Sequence, residues 1–467
     1  MKPHESVLAR ALVAGEEKMR AAGATANCIG AFLNAVRGLR EEGAGFMPES
    51  TLSPVAKLPR LVDLPSAVDP RLLEKLVVIK LNGGLGTKMG LDFAKSLIPV
   101  KGRLNFLDFI AGQVLRLRQS HRGSGPAFLL MDSFRTQQNT LDYLARYPEL
   151  SAPGFPQDFL QSKVPKIDPE TLLPVSYPAD PGLEWCPPGH GDIYPSLADS
   201  GLLDKLLVQG IEFAFVSNSD NLAATVDLPL LNYFARSGLA FLMEVAERTE
   251  TDRKGGHLAR RISDGRLVLR EVAQCPEQDR PHFESNRHQF FNTNNLWINL
   301  SELRRALKGL ALPIIKNIKP INPQDPASRQ VIQLETAMGA AIECFERTNA
   351  IVVPRSRFSP VKDTADLLAL WSDAYEITED YRLALASGRA GHPPVIKLDG
   401  RHFSQLAEFE CAFAAGAPSL LRCEELRVEG PWSFGPNVVC QGRVKFVNNA
   451  AKIKAVPPGH YRDETVT

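Results

Sequence analysis

The densest chemistry lies in 76–101, LVVIKLNGGLGTKMGLDFAKSLIPVK. The apolar run 76–79 predicts a buried strand, because β-branched side chains pack well on a pleated surface. It empties into Leu81, Asn82, Gly83, Gly84, Leu85 and Gly86. Three glycines in four positions let the backbone adopt angles that other residues avoid. Amides freed in this way can turn toward a phosphate, with Lys88 and Lys95 adding positive charge, although a tight turn would use the same residues. No Gly-Lys-Ser/Thr follows and the spacing is not Gly-x-Gly-x-x-Gly, so neither the standard NTPase nor the standard dinucleotide reading transfers.

Four further stretches carry polar residues in usable patterns. In 185–192, WCPPGHGD, prolines and glycines fix a narrow backbone path around His190. That histidine fits a donor to a phosphate or sugar oxygen, and equally one that holds its own loop. A strand over 212–216 would deliver Ser217, Asn218 and Asp220 to its carboxyl end. One carboxylate among amides and hydroxyls suits Mg²⁺ carried in with phosphates, and an Asx turn makes the same demand. No Cys/His cluster accompanies it, which excludes a zinc centre. In 290–296, FFNTNNL, Asn292, Asn294 and Asn295 suit sugar hydroxyls or a turn. The loop 354–362 crowds Arg355, Arg357 and Lys362 between prolines, a group that would suit a triphosphate if the cations point inward. No nucleophile elbow and no paired carboxylates are identifiable. Phosphoryl or nucleotidyl transfer by direct displacement is the chemistry that remains.

These residues need a scaffold, and 467 residues suffice for two or three domains around a large core. The 54 basic and 53 acidic residues nearly cancel, which argues against nucleic acid as a partner. Seven scattered cysteines without a CxxC point to a reducing compartment. No signal peptide or membrane-length apolar run is visible, so a cytoplasmic protein is expected. Helical spacing covers 7–22 and 31–42, followed by a proline-bearing covering arm over 48–70. From 72 to 361 apolar strand candidates (127–131, 213–216, 239–245, 290–295) alternate with helix candidates (106–118, 197–209, 228–237), which predicts an α/β domain with a mixed or mainly parallel sheet. Ligands in such sheets sit beyond the carboxyl ends of the strands. A hairpin is expected around Asp264 and Gly265, and a further helix over 365–387. The C-terminus changes period: Leu426, Trp432, Val438, Val444, Ala450 and Val456 recur every six residues, with Val428, Phe434, Cys440 and Phe446 as a second row. That repeat predicts a short parallel β-helix. Its break at Lys452 and the following Pro457-Pro458 predict a capped edge and a monomer or weak homo-oligomer through this module.

The chain resembles the eukaryotic-type UTP–glucose-1-phosphate uridylyltransferases. The resemblance rests on KLNGGLGTKMG (80–90), PPGHGDIY (187–194), SNSDNLAATVDL (217–228), FNTNNLWINL (291–300), VIQLETAMGAAI (331–342) and VPRSRFSPVK (353–362). It implies a Rossmann-like nucleotidyltransferase core with a mixed sheet over 71–395, a covering segment over 1–70 and a left-handed parallel β-helix over 396–467. It implies Mg²⁺ as cofactor, UTP and glucose 1-phosphate as substrates, and no nucleic-acid or membrane partner. By the same resemblance Leu81, Asn82, Gly83, Gly84 and Gly86 form the nucleotide loop, and Lys95 meets the UTP phosphates. Met131 and Gln161 read uracil and ribose, with Gly189 and Gly191 near base and phosphates. His190 touches the phosphate of glucose 1-phosphate, Asn218 lies on the sugar side, and Asp220 holds Mg²⁺. Asn294 and Glu335 contact glucose, and Lys362 is a second phosphate lysine at the reacting centre. The sequence departs from the family pattern at Lys88, Asp132, Leu160, Ser219 and His257, none of which removes a charged catalytic residue. The same transfer to galactose 1-phosphate, or a non-catalytic binding role, is the alternative; retention of Lys95, Asp220 and Lys362 together disfavours the second.

Overall fold

The computed structural model describes residues 3–39, 45–121, 125–249, 255–389 and 391–467. At its centre is a mixed sheet with main strands β1 (Leu76–Leu81), β2 (Ala127–Asp132), β3 (Asp158–Leu160), β4 (Phe213–Asn218), β5 (Phe241–Glu247), β6 (Phe290–Asn299) and β7 (Thr348–Val352). Across the sheet they lie in the order β3-β2-β1-β4-β6-β5-β7. The first four are parallel, β6 runs against both its neighbours, and β7 is parallel to β5. All six residues of β1 are buried, which is why it reads as a near-continuous apolar run. The chain leaves β1 toward β2 on one side, and β4 joins on the other. The order of strands therefore reverses at β1, and a crevice opens at the carboxyl ends of β1 and β4.

Local signals explain most of the flanking elements. Phe106–Ser120 is a helix started by a capping box between Asn105 and Asp108. Leu228–Ser237 begins on Asp227, whose side chain accepts from the Leu230 N–H, and ends at Gly238 in the left-handed region. The helix expected over 197–209 is two, Ile193–Asp199 and Leu202–Val208, broken where Gly201 takes φ of 74°. The helix expected over 365–387 stops at Trp371. Ser372 turns extended, and Tyr375–Ile377 pairs with Leu383–Leu385 as a hairpin. The expected hairpin at Gly265 joins His257–Arg261 to Leu267–Arg270 and extends from the start of β6.

The N-terminal helices are Pro3–Ala21 and Ala26–Gly38. The second starts five residues earlier than its apolar spacing suggests, because the Thr25 side chain caps it by accepting from the Cys28 N–H. The expected end of that helix, 40–42, lies outside the described residues. Met19, Ile29 and Phe32 bury against Val164, Ile167, Cys186, Ile332 and Leu334, so these helices back the WCPPGH stretch. The covering arm adds Leu52–Ser53 to the hairpin edge and bridges Arg60 to Val352.

The C-terminal strands stack in parallel. Val395–Leu398, Ser419–Glu429, Val438–Val447 and Gly459–Arg462 form one sheet, and Trp432–Phe434 pairs with Lys454–Val456 in another. Leu426 faces Val444 and Val428 faces Phe446, an offset of three six-residue steps. Trp432 faces Lys454 and not Ala450, which is exposed. A turn built on Asn448, whose side chain donates to the Pro431 and Lys452 carbonyls and accepts from the Ala450 N–H, inserts four residues and displaces that row. One continuous apolar cluster runs from Leu73, Phe106 and Leu130 under the sheet to Phe413, Phe434 and Phe446. Among the described residues no helix is long and apolar enough to cross a membrane.

Candidate active site

The glycine loop leaves β1 with its register fixed, Leu81 standing between Met131 and Asn218. The Leu81 carbonyl accepts from the Ser219 N–H (3.0 Å). Asn82 is buried: its N–H donates to the Met131 carbonyl (2.8 Å), and its amide to Asp132 Oδ1 (2.8 Å) and Thr140 Oγ1 (2.9 Å). Asn82 therefore anchors the loop and presents no side chain to the cleft. The Met131 side chain lies in the core. The glycines differ in purpose. A Cβ on Gly86 would clash with Leu91, and one on Gly83 would stand 2.8 Å from Gln161 Oε1. Gly84 is exposed, with nothing within 4 Å of where its Cβ would be, and borders open space. Gln161 spans the cleft floor, its amide donating to the Gly189 carbonyl (2.6 Å) and its N–H to that of Asp132 (2.7 Å).

At the carboxyl end of β4, Asp220 meets Lys95, whose Nζ donates to Asp220 Oδ2 (2.6 Å) and to the Val361 carbonyl. Asp220 Oδ1 is buried with no hydrogen-bond partner. A buried carboxylate oxygen left without a partner is a hard donor of the kind that Mg²⁺ accepts. Among the described residues no group of three or more His, Cys, Asp or Glu could cage a metal by itself. This donor set fits an ion that brings most of its ligands as water and phosphate. The Val361 N–H returns to the Asp220 carbonyl (3.2 Å). Lys362 beside it is exposed, its Nζ 5.8 Å from the Phe358 ring centre. Arg355 lies over Phe291 (4.8 Å). Arg357 points away from the crevice and forks onto buried Glu244, so the three cations of this loop do not share one target.

The opposite wall is the PPGH segment laid against the strand Gln330–Thr336. Gly189 has φ of 83°, and a Cβ there would clash with Thr336, as would one on Gly191. The Thr336 N–H donates to the Pro188 carbonyl (2.9 Å). Of the two uses its spacing allows, His190 is seen in the structural one, holding the neighbouring backbone. The Met338 N–H donates to Nδ1 (3.0 Å), which places the proton of the neutral ring on Nε2. Burial lowers its pKa, with Glu335 pulling the other way, so Nε2–H is a neutral donor. Glu335 itself accepts from Lys319 Nζ (3.1 Å). Asn218 is half-buried at the end of β4, its carbonyl accepting from the Asn221 N–H (3.3 Å).

Asn294 sits where pairing between β5 and β6 shifts register, with φ of 57°. A non-glycine residue in that region is held by its surroundings: the Asn292 amide donates to Asn294 Oδ1 (2.7 Å), and the Asn294 N–H to Asn292 Oδ1 (2.9 Å). Asn295 is fully buried, and its amide donates to Glu244 (3.1 Å). Glu271 was not visible in the sequence pattern. Its carboxylate lies 2.5 Å from where a Gly256 Cβ would be, and burial raises its pKa to about 7. The Gly256 carbonyl accepts from the Asn292 N–H (3.0 Å), which puts Glu271 beside the strand bearing Asn294. Gly256 is the one signal that could have found it, since only a residue without a side chain leaves room for that carboxylate.

Sequence comparison matches residues 39–441 to the family described as UTP–glucose-1-phosphate uridylyltransferase. The enzyme of that name from Encephalitozoon cuniculi is 40% identical over 436 residues, 92% of this chain and 85% of its own. The chain belongs to the UTP–glucose-1-phosphate uridylyltransferase family. The family member from Hordeum vulgare is 42% identical over 83% of this chain and 80% of its own. Among solved structures, the UDP-glucose phosphorylase of Trypanosoma brucei superposes with a TM-score of 0.91 at 46% identity, covering 98% of this chain and 99% of that one. A mutant of the Leishmania major UDP-glucose pyrophosphorylase, solved in complex with UDP-glucose, gives 0.91 at 45% identity with the same coverage.

The five positions that the sequence singles out as departures are spread over different depths. Lys88 and Leu160 are exposed and Ser219 is buried at the strand end. Asp132 is fully buried with Oδ2 unpartnered, and burial raises its pKa to about 7. His257 is fully buried under the start of β6, its ring stacked 4.2 Å from His288, and burial holds its pKa at about 2.

Proposed function

We propose that the chain transfers the uridylyl group of UTP to glucose 1-phosphate, releasing UDP-glucose and pyrophosphate. The observation that carries this is convergence: signatures spread over 80–362 meet at one crevice, at the carboxyl ends of β1 and β4. A phosphate oxygen of glucose 1-phosphate attacks the α-phosphorus of UTP, and the bond to the oxygen bridging the α- and β-phosphates breaks. Pyrophosphate leaves opposite the nucleophile, and no covalent enzyme intermediate is needed.

Leu81, Gly83, Gly84 and Gly86 cradle the nucleotide, with Asn82 and Met131 setting the loop from beneath. Gln161, Gly189 and Gly191 line the uridine. Lys95 and Lys362 meet the phosphates of UTP and of the reacting centre. His190 donates from Nε2 to the phosphate of glucose 1-phosphate. Asn218, Asn294, Glu335 and Glu271 serve the sugar hydroxyls. Asp220 would hold Mg²⁺, which when bound supplies neutralisation of phosphate charge. Support for that role comes from the bare Oδ1 atom.

The stacked C-terminal strands suit a short left-handed β-helix over 396–467, beside a covering segment (1–70) and the catalytic unit (71–395). The 18-residue offset between Leu426 and Val444 supports that reading. We further place the protein in the cytoplasm on the strength of seven free cysteines. The expected capped edge at Pro457-Pro458 is corrected, because Gly459–Arg462 and Thr465–Val466 beyond them pair with Val438–Val447, and the monomer or weak homo-oligomer is proposed without it. The displacement is tested with UTP made chiral at the α-phosphorus by one sulfur. Inversion at phosphorus supports a single in-line step, and retention would require a covalent intermediate and overturn it.

A further inference from the structure

The loop 354–362 touches the reacting centre at one end and the protein interior at the other. At the outer end Val361 joins Asp220 through its N–H and Lys95 through its carbonyl, and Lys362 follows, exposed. At the inner end Arg357 places Nε and Nη2 on the two oxygens of Glu244, each at 2.9 Å, and Nη2 also donates to the Thr225 carbonyl. Glu244 is fully buried and accepts in addition from Asn295 Nδ2 (3.1 Å) and Trp297 Nε1 (3.0 Å), so its own position is set by the sheet. Asn221, the residue after Asp220, closes the arrangement. Its Oδ1 accepts from the Ser359 N–H (3.0 Å) and its amide donates to the Arg357 carbonyl (3.2 Å). A planar fork on a carboxylate fixes direction as well as distance.

We propose that Arg357 is a positioning residue for the uridylyl transfer, docking the loop on Glu244 so that Val361 and Lys362 stand in register with Lys95 and Asp220. Arg357 itself touches no substrate. The proposal rests on the reading of Lys362 as a phosphate lysine. Buried charge that only stabilised the fold would not distinguish this loop from any other, whereas a clamp at 357–359 acts on the rate through Lys362. A displacement of about 1 Å at a reacting group can cost on the order of 100-fold in rate.

The test is a double-mutant cycle on the full chain with R357K, K362A and the double variant. R357K keeps a charge against Glu244 and loses the fork. Expected are a kcat about 100-fold lower for R357K, a KM for UTP within about twofold of wild type, and a double variant no slower than K362A alone. Additive effects, or a folded R357K with near-native kcat beside an impaired K362A, overturn the positioning role. A K362A of native activity overturns the reading of Lys362 and this proposal with it. Should R357K fail to fold, N221A takes its place, since it frees the Ser359 and Arg357 backbone without exposing a buried charge. A kcat loss in N221A that disappears in the K362A background supports the proposal; native kcat in N221A overturns it.

Discussion

Asp220 is the residue on which the charge balance of the crevice turns. One oxygen is taken by Lys95 and the other is bare, so Asp220→Asn should remove the anion without disturbing the strand that carries it. We expect D220N to fold and to lose turnover by at least about 100-fold at saturating substrates across a Mg²⁺ titration. Near-native turnover in a folded D220N would remove Asp220 from the chemistry. The two lysines should separate kinetically. Lys95 is tied to Asp220 and in the proposed reaction would meet UTP in ground and transition states, so K95A should raise KM for UTP and lower kcat together. Lys362 is exposed and in the proposed reaction would grip the phosphate at the reacting centre, so K362A should lower kcat more than it raises KM. Steady-state kinetics for both variants check this, and a pure KM effect in K362A would place that side chain outside the reacting centre. At this scale the sequence singled out residues where a motif is local: Gly189, His190 and Asp220 stand in short strings whose character is visible at once, whereas Asn82, expected in the nucleotide loop, turns its amide onto Asp132 and Thr140. The roles of Arg357, Asn295 and Glu271 were not legible, because what decides each is a partner far along the chain. Arg357 and Asn295 both read as ligand groups until Glu244 is seen to claim them.

Elements were legible where both period and punctuation were strong. β1 reads as its apolar run, and Leu228–Ser237 has both bounds as its Asp227 start and Gly238 stop suggest. The helix expected over 365–387 failed because Ser372 turns extended and the alternation at Tyr375 and Ile377 belongs to a strand paired with Leu383–Leu385. The six-residue rows held until Asn448 committed its side chain to a turn. Two predictions belong here. G189A should strain a backbone at φ of 83° and push into Thr336, which displaces the wall carrying His190. We expect a loss of about 1–3 kcal/mol in denaturant unfolding and a raised KM for glucose 1-phosphate. Unchanged stability and KM would show that the wall tolerates a side chain there. The hairpin beside β6 should be acid-sensitive, because His257 is neutral in the fold with a pKa of about 2 and titrates near 6.5 when unfolded. Below pH 6.5 the unfolded chain binds the extra proton, so stability falls as pH drops, by about 1.4 kcal/mol per pH unit from this residue alone. H257F removes the titration and keeps a ring against Phe283 and His288. Urea unfolding at pH 7.5 and 5.5 should give H257F the shallower loss, and an identical loss would mean that His257 is protonated in the fold.

At the scale of the whole molecule, the parts are arranged around a single crevice. The N-terminal helices back the PPGH wall, the covering arm seals the sheet's far edge, and the C-terminal strands continue the apolar cluster beneath β1. A sheet with parallel strands β3 to β4 and an antiparallel β6 supplies both a switch point, where the proposed reaction puts the phosphates, and an asparagine-bearing wall, where it puts the sugar. The α/β class was legible from alternating periods, which left the sheet mixed or mainly parallel because strand direction is set by connections that periodicity does not encode; the mixed sheet came from the resemblance, and the sheet is mixed. The central claim is the reaction itself. The most direct measurement is pyrophosphate release by the purified full chain with Mg²⁺, using UTP, ATP, CTP or GTP against glucose, galactose and N-acetylglucosamine 1-phosphates. The predicted result is rapid release with UTP and glucose 1-phosphate, with UDP-glucose as the second product, and far slower release with every purine triphosphate. No release with that pair, or equal use of UTP and ATP, would contradict the account.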